Sequence, residues 1–354
     1  MIKILSFFAL LLCVYGNAQN LIAIPFDKAH WKVNEETTFE TFQGKQTLVL
    51  NGKAQVKNLD FTTGILSVDV YANNKRSFAG LFFRQQNTNA EEVYMRMHKS
   101  GQVDAVQYTP TFNDELAWQL YPEYQAQVFF KHTGWNTLTL HVFDHSAEVY
   151  VNNEYVLSVE NLRTNQKNGA FGLFALFRNR FANFKYSKQV PEQKPQKIVE
   201  PTQNKAIIKK WEVTKAMPYN EATFQLATFA NETVQIVPTE PTGLLPISKY
   251  VKKSSKGNFE QNGEAFAIAT TQVEVDEDTF KKFSFDYSDK IRVYVNGVLL
   301  FSGSNAFRAK GVQYMGHLSL YTNSLYIPLH KGTNTISCVV IDKANGWGLM
   351  GALE

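Results

Sequence analysis

In the stretch YMRMH, Tyr94, Arg96 and His98 alternate with Met95 and Met97. On a pleated strand that spacing puts the ring, the guanidinium and the imidazole on one face and both methionines on the other. Rings that stack on a sugar face, beside groups that hydrogen-bond hydroxyls, are the equipment of glycan recognition. Downstream, Asp104, Val106 and Tyr108 alternate with Ala105 and Gln107, and Trp118, Gln119 and Tyr121 crowd a short stretch. Arg84, Arg178 and Arg180 are further candidates for the rim of such a groove. A plainer reading stands beside this one, in which Trp118 and Tyr121 plug a core and Arg96 meets a carboxylate on a solvated face. Register separates the cases. A two- or four-residue turn around Lys99-Ser100-Gly101-Gln102 sets Arg96 opposite Ala105, whereas a three-residue turn brings Asp104 or Val106 onto its face.

Catalytic chemistry is harder to place. Glycoside hydrolysis requires two carboxylates about 5–10 Å apart in unequal environments. Glu91 and Glu92 are adjacent, so a strand would point them to opposite faces. A glycoside-acting hydrolase would therefore have to gather Asp69, Asp104 or Glu92 in one cleft. Glu274, Asp276 and Asp278 in EVDEDTF read as a polar turn between two strands. His141 and His145 flank Asp144 on a turning strand and would not converge as helical metal ligands do. No phosphate-cradling glycine motif and no Ser-His-Asp ordering occurs. Toward the C-terminus, Asp289, Arg308, Tyr314 and Trp347 are the polar or aromatic residues nearest expected loop ends, with core packing favoured for Trp347.

The elements that must position these residues are strands. GILSVDVYA, FAGLFFRQ, EEVYMRMH, DAVQYTP, WNTLTLHVF, AEVYVN, EYVLSV and GAFGLFAL are short, alternate with period two, and are separated by Gly, Asn or Asp. That is the pattern of an all-β sandwich or barrel. AFAIATTQVEV, KKFSFDYS, KIRVYVNGVLLFSG, HLSLYTNSLYIPL and NTISCVVIDK repeat it. Asn152-Asn153 and Asn296-Gly297 mark tight hairpins, because both pairs tolerate positive φ. No stretch supports a helix longer than about two turns.

Between the two sets of strands lies SKQVPEQKPQKIVEPTQNK, with Pro191, Pro195 and Pro201. Such a run predicts an extended, semi-rigid linker over 188–205 that holds two folded units, 19–187 and 206–354, apart. The chain has 354 residues, 44% hydrophobic and 19% charged, enough for two cores. Its net charge of +4 is scattered, and Lys209-Lys210 and Lys252-Lys253 have no aromatic interleaving, which argues against nucleic acid. Residues 1–18 read as a secretory signal: Lys3, the apolar run Ile4 to Val14, then Gly16-Asn17-Ala18. That run is shorter than the ~20 residues a membrane span needs, and no other stretch is apolar enough to span. The expected location is periplasmic or extracellular. Lipid anchoring at Cys13 is disfavoured by Leu12 before it. Cleavage would leave Cys338 as the one cysteine, expected as a buried structural thiol.

DFTTGILSVDVYA, FAGLFFRQ before YMRMH, GWNTLTLHVFDHSAEVYVNN and the closing GAFGLFALFRNRFANFKYS together resemble the concanavalin-A-like lectin/glucanase superfamily, which includes laminin-G-like and family-16-like modules. FSFDYSDKIRVYVNGVLLFSG and YIPLHKGTNTISCVVIDKANGWGLMG resemble the galactose-binding-like jelly roll. The resemblances imply an all-β protein of two antiparallel β-sandwich (jelly-roll) domains joined by the Pro-rich linker. They also imply a poly- or oligosaccharide ligand, and allow structural calcium, although no Asp-rich loop offers a ligand set. Family-16-like enzymes carry Glu-x-Asp-x-(x)-Glu on one strand, and residues 19–187 lack it. The expectation is thus an exported, non-catalytic glycan-binding protein. A hydrolase with a non-standard carboxylate site, or an envelope protein whose sandwiches bind a protein partner, are the alternatives.

Overall fold

The computed structural model describes residues 20–193, 206–254 and 263–354. The expected signal segment, with Cys13, and most of the expected linker lie outside the described residues.

Period-two alternation becomes strands almost throughout. The first sandwich is one curled antiparallel sheet that runs in the order Gln125–Ala126, Val106–Phe112, Asn89–Arg96, Phe78–Gln86, Ala170–Ser187, Gly64–Asn73, Thr133–Val142, Ala147–Val151 and Glu154–Val159. Its pivot is Ala170–Ser187. The early part of that strand pairs with Phe78–Gln86 and the late part with Gly64–Asn73. Pairing with Lys45–Val56 slips between Ala175 and Asn179, where the sheet turns back on itself. Leu48, Leu50, Leu66, Val68, Val70, Leu81, Val93, Met95, Met97, Leu138, Leu140 and Leu173 fill the space between the layers. Each such side chain, once buried, stabilises the fold by about 1.5–3 kcal/mol.

The second sandwich has two sheets. One is ordered Val234–Pro238, Lys210–Thr214, Ala265–Val275, Gly332–Asp342, Lys290–Val295, Val298–Ser304; the other Leu244–Leu245, Gly348–Leu353, Thr279–Ser288, Asn323–Leu329. Trp211, Phe283, Phe285, Tyr287, Ile291, Val293, Cys338 and Trp347 lie between them. Both expected hairpins form. Asn152 and Asn153 have φ of 52° and 71°, and Asn296 and Gly297 have 50° and 81°. EVDEDTF spans the turn between Ala265–Val275 and Thr279–Ser288. Among the described residues the one α-helix is Ile247–Tyr250, and none is long and apolar enough to cross a membrane.

The expectation of two units held apart does not hold, because the sandwiches are docked. Gly346 N donates to Leu116 O at 3.0 Å and Leu318 N to Gln119 O at 3.1 Å. Tyr121 Oη donates to Glu240 at 2.7 Å, and Asn113 Nδ2 to Ser248 O at 2.9 Å. Leu244, Leu318, Leu320, Met350 and Ala352 join the apolar cluster of the first sandwich.

Candidate functional site

Pairing fixes which side chains share the face of the first sandwich that points away from its core. One row across the strands reads Lys53, Phe174, Gly80, Tyr94, Gln107. The next reads Gln55, Gly172, Phe82, Glu92, Thr109. A third joins Leu176, Phe78 and Arg96. Met95, between Tyr94 and Arg96, is fully buried in the core, as alternation requires. A Cβ on Gly80 would stand 2.0 Å from Val93 O. The bare position lets the rings of Phe174 and Tyr94 meet at 5.8 Å. Phe78 continues the line, 6.1 Å from Tyr94.

Glu92 is the carboxylate of this face. It is 1% exposed. Its Oε1 accepts from Lys53 Nζ at 2.6 Å and from Thr111 Oγ1 at 2.7 Å, while Oε2 has no partner among the described residues. Lys53 Nζ also sits 5.1 Å above the Phe82 ring. A buried carboxylate oxygen without a donor costs free energy, so it marks a place where a ligand hydroxyl or proton would be welcome. Glu91 turns to the opposite face and accepts from Tyr108 Oη and from Thr164 N and Oγ1. The two acids do not pair, as their adjacency predicts.

Arg96 lies across from Ala105, whose carbonyl accepts its N–H at 2.7 Å. The strand ends there, and Met97–Lys99 is a 3-10 turn that carries exposed His98. Tyr94 and Arg96 are each 2% exposed, although they face away from the core. Arg96 donates to Asp104 O, Tyr94 Oη and Gln107 Oε1 and faces the rings of Tyr94 and Trp118. Burial pushes the Tyr94 phenol up to about 12, with Arg96 opposing. Asp104 binds Lys99 and lies 3.9 Å from Arg96. Gln107 donates to Trp118 O at 2.6 Å.

The remaining candidates fall elsewhere. Arg84 is buried and donates to the carbonyls of Thr62, Asp144 and Phe143 at 2.7–2.9 Å. Tyr108 and Tyr121 are fully buried in the first core. Trp118 packs edge-on against Phe307 and His317 of the second sandwich. Arg178 is exposed, 3.3 Å from Thr38 Oγ1. In the second sandwich Trp347 is fully buried, Asp289 is nearly so, Arg308 is exposed, and Tyr314 lies half-buried under Lys310. No geometry gathers these four. Asp69 is engaged by Lys45, Thr137 and Asn183 on other strands. Lys53, Phe78, Phe82 and Phe174 were not singled out from sequence. The available signal was the alternation of Phe174 with core residues Phe171, Leu173 and Ala175 in GAFGLFAL.

The first sandwich is a curled antiparallel β-sandwich, as its period-two strands predict. Solved structures overlie about half of the chain at low similarity. A carbohydrate binding module from Bacillus subtilis is 14% identical, with 45% of this chain and 96% of that one covered and a TM-score of 0.36. A putative glycosyl hydrolase from Parabacteroides distasonis is 12% identical, with 46% and 94% covered and a TM-score of 0.35. A Bacillus licheniformis beta-glucanase is 11% identical, with 49% and 100% covered and a TM-score of 0.34. No curated protein matches the chain. Residues 26–186, nearly the whole first sandwich, match the family model of the 3-keto-alpha-glucoside-1,2-lyase-like domain, a carbohydrate-related domain.

Proposed function

We propose that the first sandwich binds a saccharide on its outer face, over Phe174 and Phe78 and beside Lys53 and Glu92. The observation that carries this is the unpartnered Oε2 of buried Glu92, set among half-buried rings and a lysine. Rings give an apolar sugar face something to stack on, and Glu92 and Lys53 can exchange their mutual contact for hydroxyls. Isothermal titration of the full chain with glucose disaccharides tests it. Phe174→Ala is expected to weaken binding about tenfold, equivalent to about 1.4 kcal/mol. Unchanged affinity in that variant would remove the site.

A second reading, elimination, is favoured by the unpartnered oxygen of Glu92 on this face together with the family match. Asp104 is already tied to Lys99 and Arg96, so two-carboxylate hydrolysis has no second partner. Elimination from a 3-keto-glucoside needs one base. The ketone acidifies the C2 proton, and Glu92 Oε2 would take it. The C2–H electron pair then forms the C1–C2 double bond as the C1–O bond breaks, and the leaving oxygen takes up a proton from water, with Glu92 returning its own to solvent. Lys53 would lie beside the developing negative charge. Glu92→Gln is expected to abolish cleavage of a 3-keto-disaccharide while retaining its binding. Export through residues 1–18 belongs to the same proposal.

A further inference from the structure

At the bend of the first sandwich is a cleft of about 330 Å³ with Lys75, Arg76, Arg178 and Arg180 in its wall and no acidic side chain. Arg180 is paired with Glu40 outside the lining. Among the described residues, Lys75, Arg76 and Arg178 have no carboxylate within ion-pair distance. Like charges gathered in a concave wall repel one another and focus positive potential into it.

The cleft is held open by backbone that a phenylalanine does not adopt readily. Phe177 has φ of 61°, in the left-handed region that is an outlier for a bulky residue. Asn179, 4% exposed, holds the bulge by donating from Nδ2 to Phe177 O at 2.8 Å, Phe78 O at 3.0 Å and Leu176 O at 3.3 Å. The bulge turns Phe177 and Arg178 out toward Arg76, whose guanidinium lies 5.3 Å from the Phe177 ring and 5.8 Å from that of Phe78. Phe78 and Phe177 are 6.1 Å apart. Through buried Tyr94, ring contacts link half-buried Phe174 to half-buried Phe78 and exposed Phe177 at the basic cleft.

We infer that the cleft extends the outer-face saccharide site to anionic sugars, taking a carboxylate or sulfate ester between Arg76 and Arg178. This rests on the outer face being a saccharide site. Guanidinium groups present paired donors that match either oxyanion, so the cleft would select charge and leave sugar identity to the rings.

The test is affinity titration of the full chain with polygalacturonate, dextran sulfate and neutral dextran at low and high salt. Arg76→Gln/Arg178→Gln is compared with Lys209→Gln/Lys210→Gln, which removes the same charge from exposed positions of the second sandwich. At least one anionic polymer is expected to bind tenfold or more tightly than dextran, and to lose that advantage in the cleft variant alone. Which polymer gains tells carboxylate from sulfate. Equal losses in both double variants would reduce the effect to net charge and overturn the inference, as would tighter binding of a single-stranded oligonucleotide through the same arginines. Dextran binding that depends on Phe174 with no gain for either anion would overturn the cleft assignment and leave the saccharide site standing. Absence of binding to all three polymers would overturn both.

Discussion

Acid should loosen the docking of the two sandwiches through His317. Its ring packs edge-on against Trp118 at 5.8 Å, and its Nε2 lies 3.1 Å from Gln125 Nε2. An amide nitrogen only donates, so the imidazole nitrogen accepts and the ring is neutral with its proton on Nδ1. Burial, reinforced by Arg96 and Lys99 and opposed by Asp104, lowers its pKa from 6.5 to about 4. Between those values the unfolded chain takes up a proton that the folded chain refuses, so stability is fully present above pH 6.5 and falls as pH drops toward 4. Linkage gives a loss of about 2 kcal/mol by pH 5 and about 3 kcal/mol by pH 4. Urea denaturation of the wild type and of His317→Gln at pH 7.5, 6, 5 and 4 isolates this contribution as the pH-dependent difference between them. A difference that stays flat over that range, or an imidazole that titrates near 6.5 by NMR, would refute the reasoning.

Arg84→Met strands the three backbone carbonyls that the guanidinium serves and should cost about 3 kcal/mol, read as a lowered urea midpoint. Lys253→Met leaves the buried carboxylates of Asp342 and Glu115 without their cation; a loss of about 3–5 kcal/mol is expected by the same measurement, and a neutral outcome would contradict the pairing. Gly80→Ala drives a methyl to 2.0 Å from Val93 O, so thermal unfolding should shift down by several degrees and saccharide affinity should fall with it.

Local periodicity made the sheet faces legible. Met95 is in the core and Tyr94 and Arg96 face the other way because successive strand residues alternate, whatever lies beyond; Met97 and His98 fall in the 3-10 turn, outside that alternation. The hairpins at Asn152-Asn153 and Asn296-Gly297 were equally local, since positive φ there is a property of the residues themselves. Alternation does not reveal what covers a face. Arg96 and Gln107 are nearly inaccessible because Trp118 lies against both, and Trp118 in turn packs on His317, about two hundred positions away. The orphaned oxygen of Glu92 depends on Lys53 and Thr111, from separate strands. Docking was hidden for the same reason, since no feature of a proline run reports Tyr121 meeting Glu240. The bulge at Phe177 has its legible cause only in Asn179, an amide whose three carbonyl partners become evident once the strands are paired.

Amide chemical-shift mapping of the full chain during titration with a glucose disaccharide and its 3-keto counterpart addresses the central claim most directly. Saturable shifts should cluster at Lys53, Phe78, Glu92, Tyr94 and Phe174, with the region around Trp347 silent. Shifts confined to the second sandwich, or none at millimolar sugar, would contradict a saccharide site on the outer face of the first.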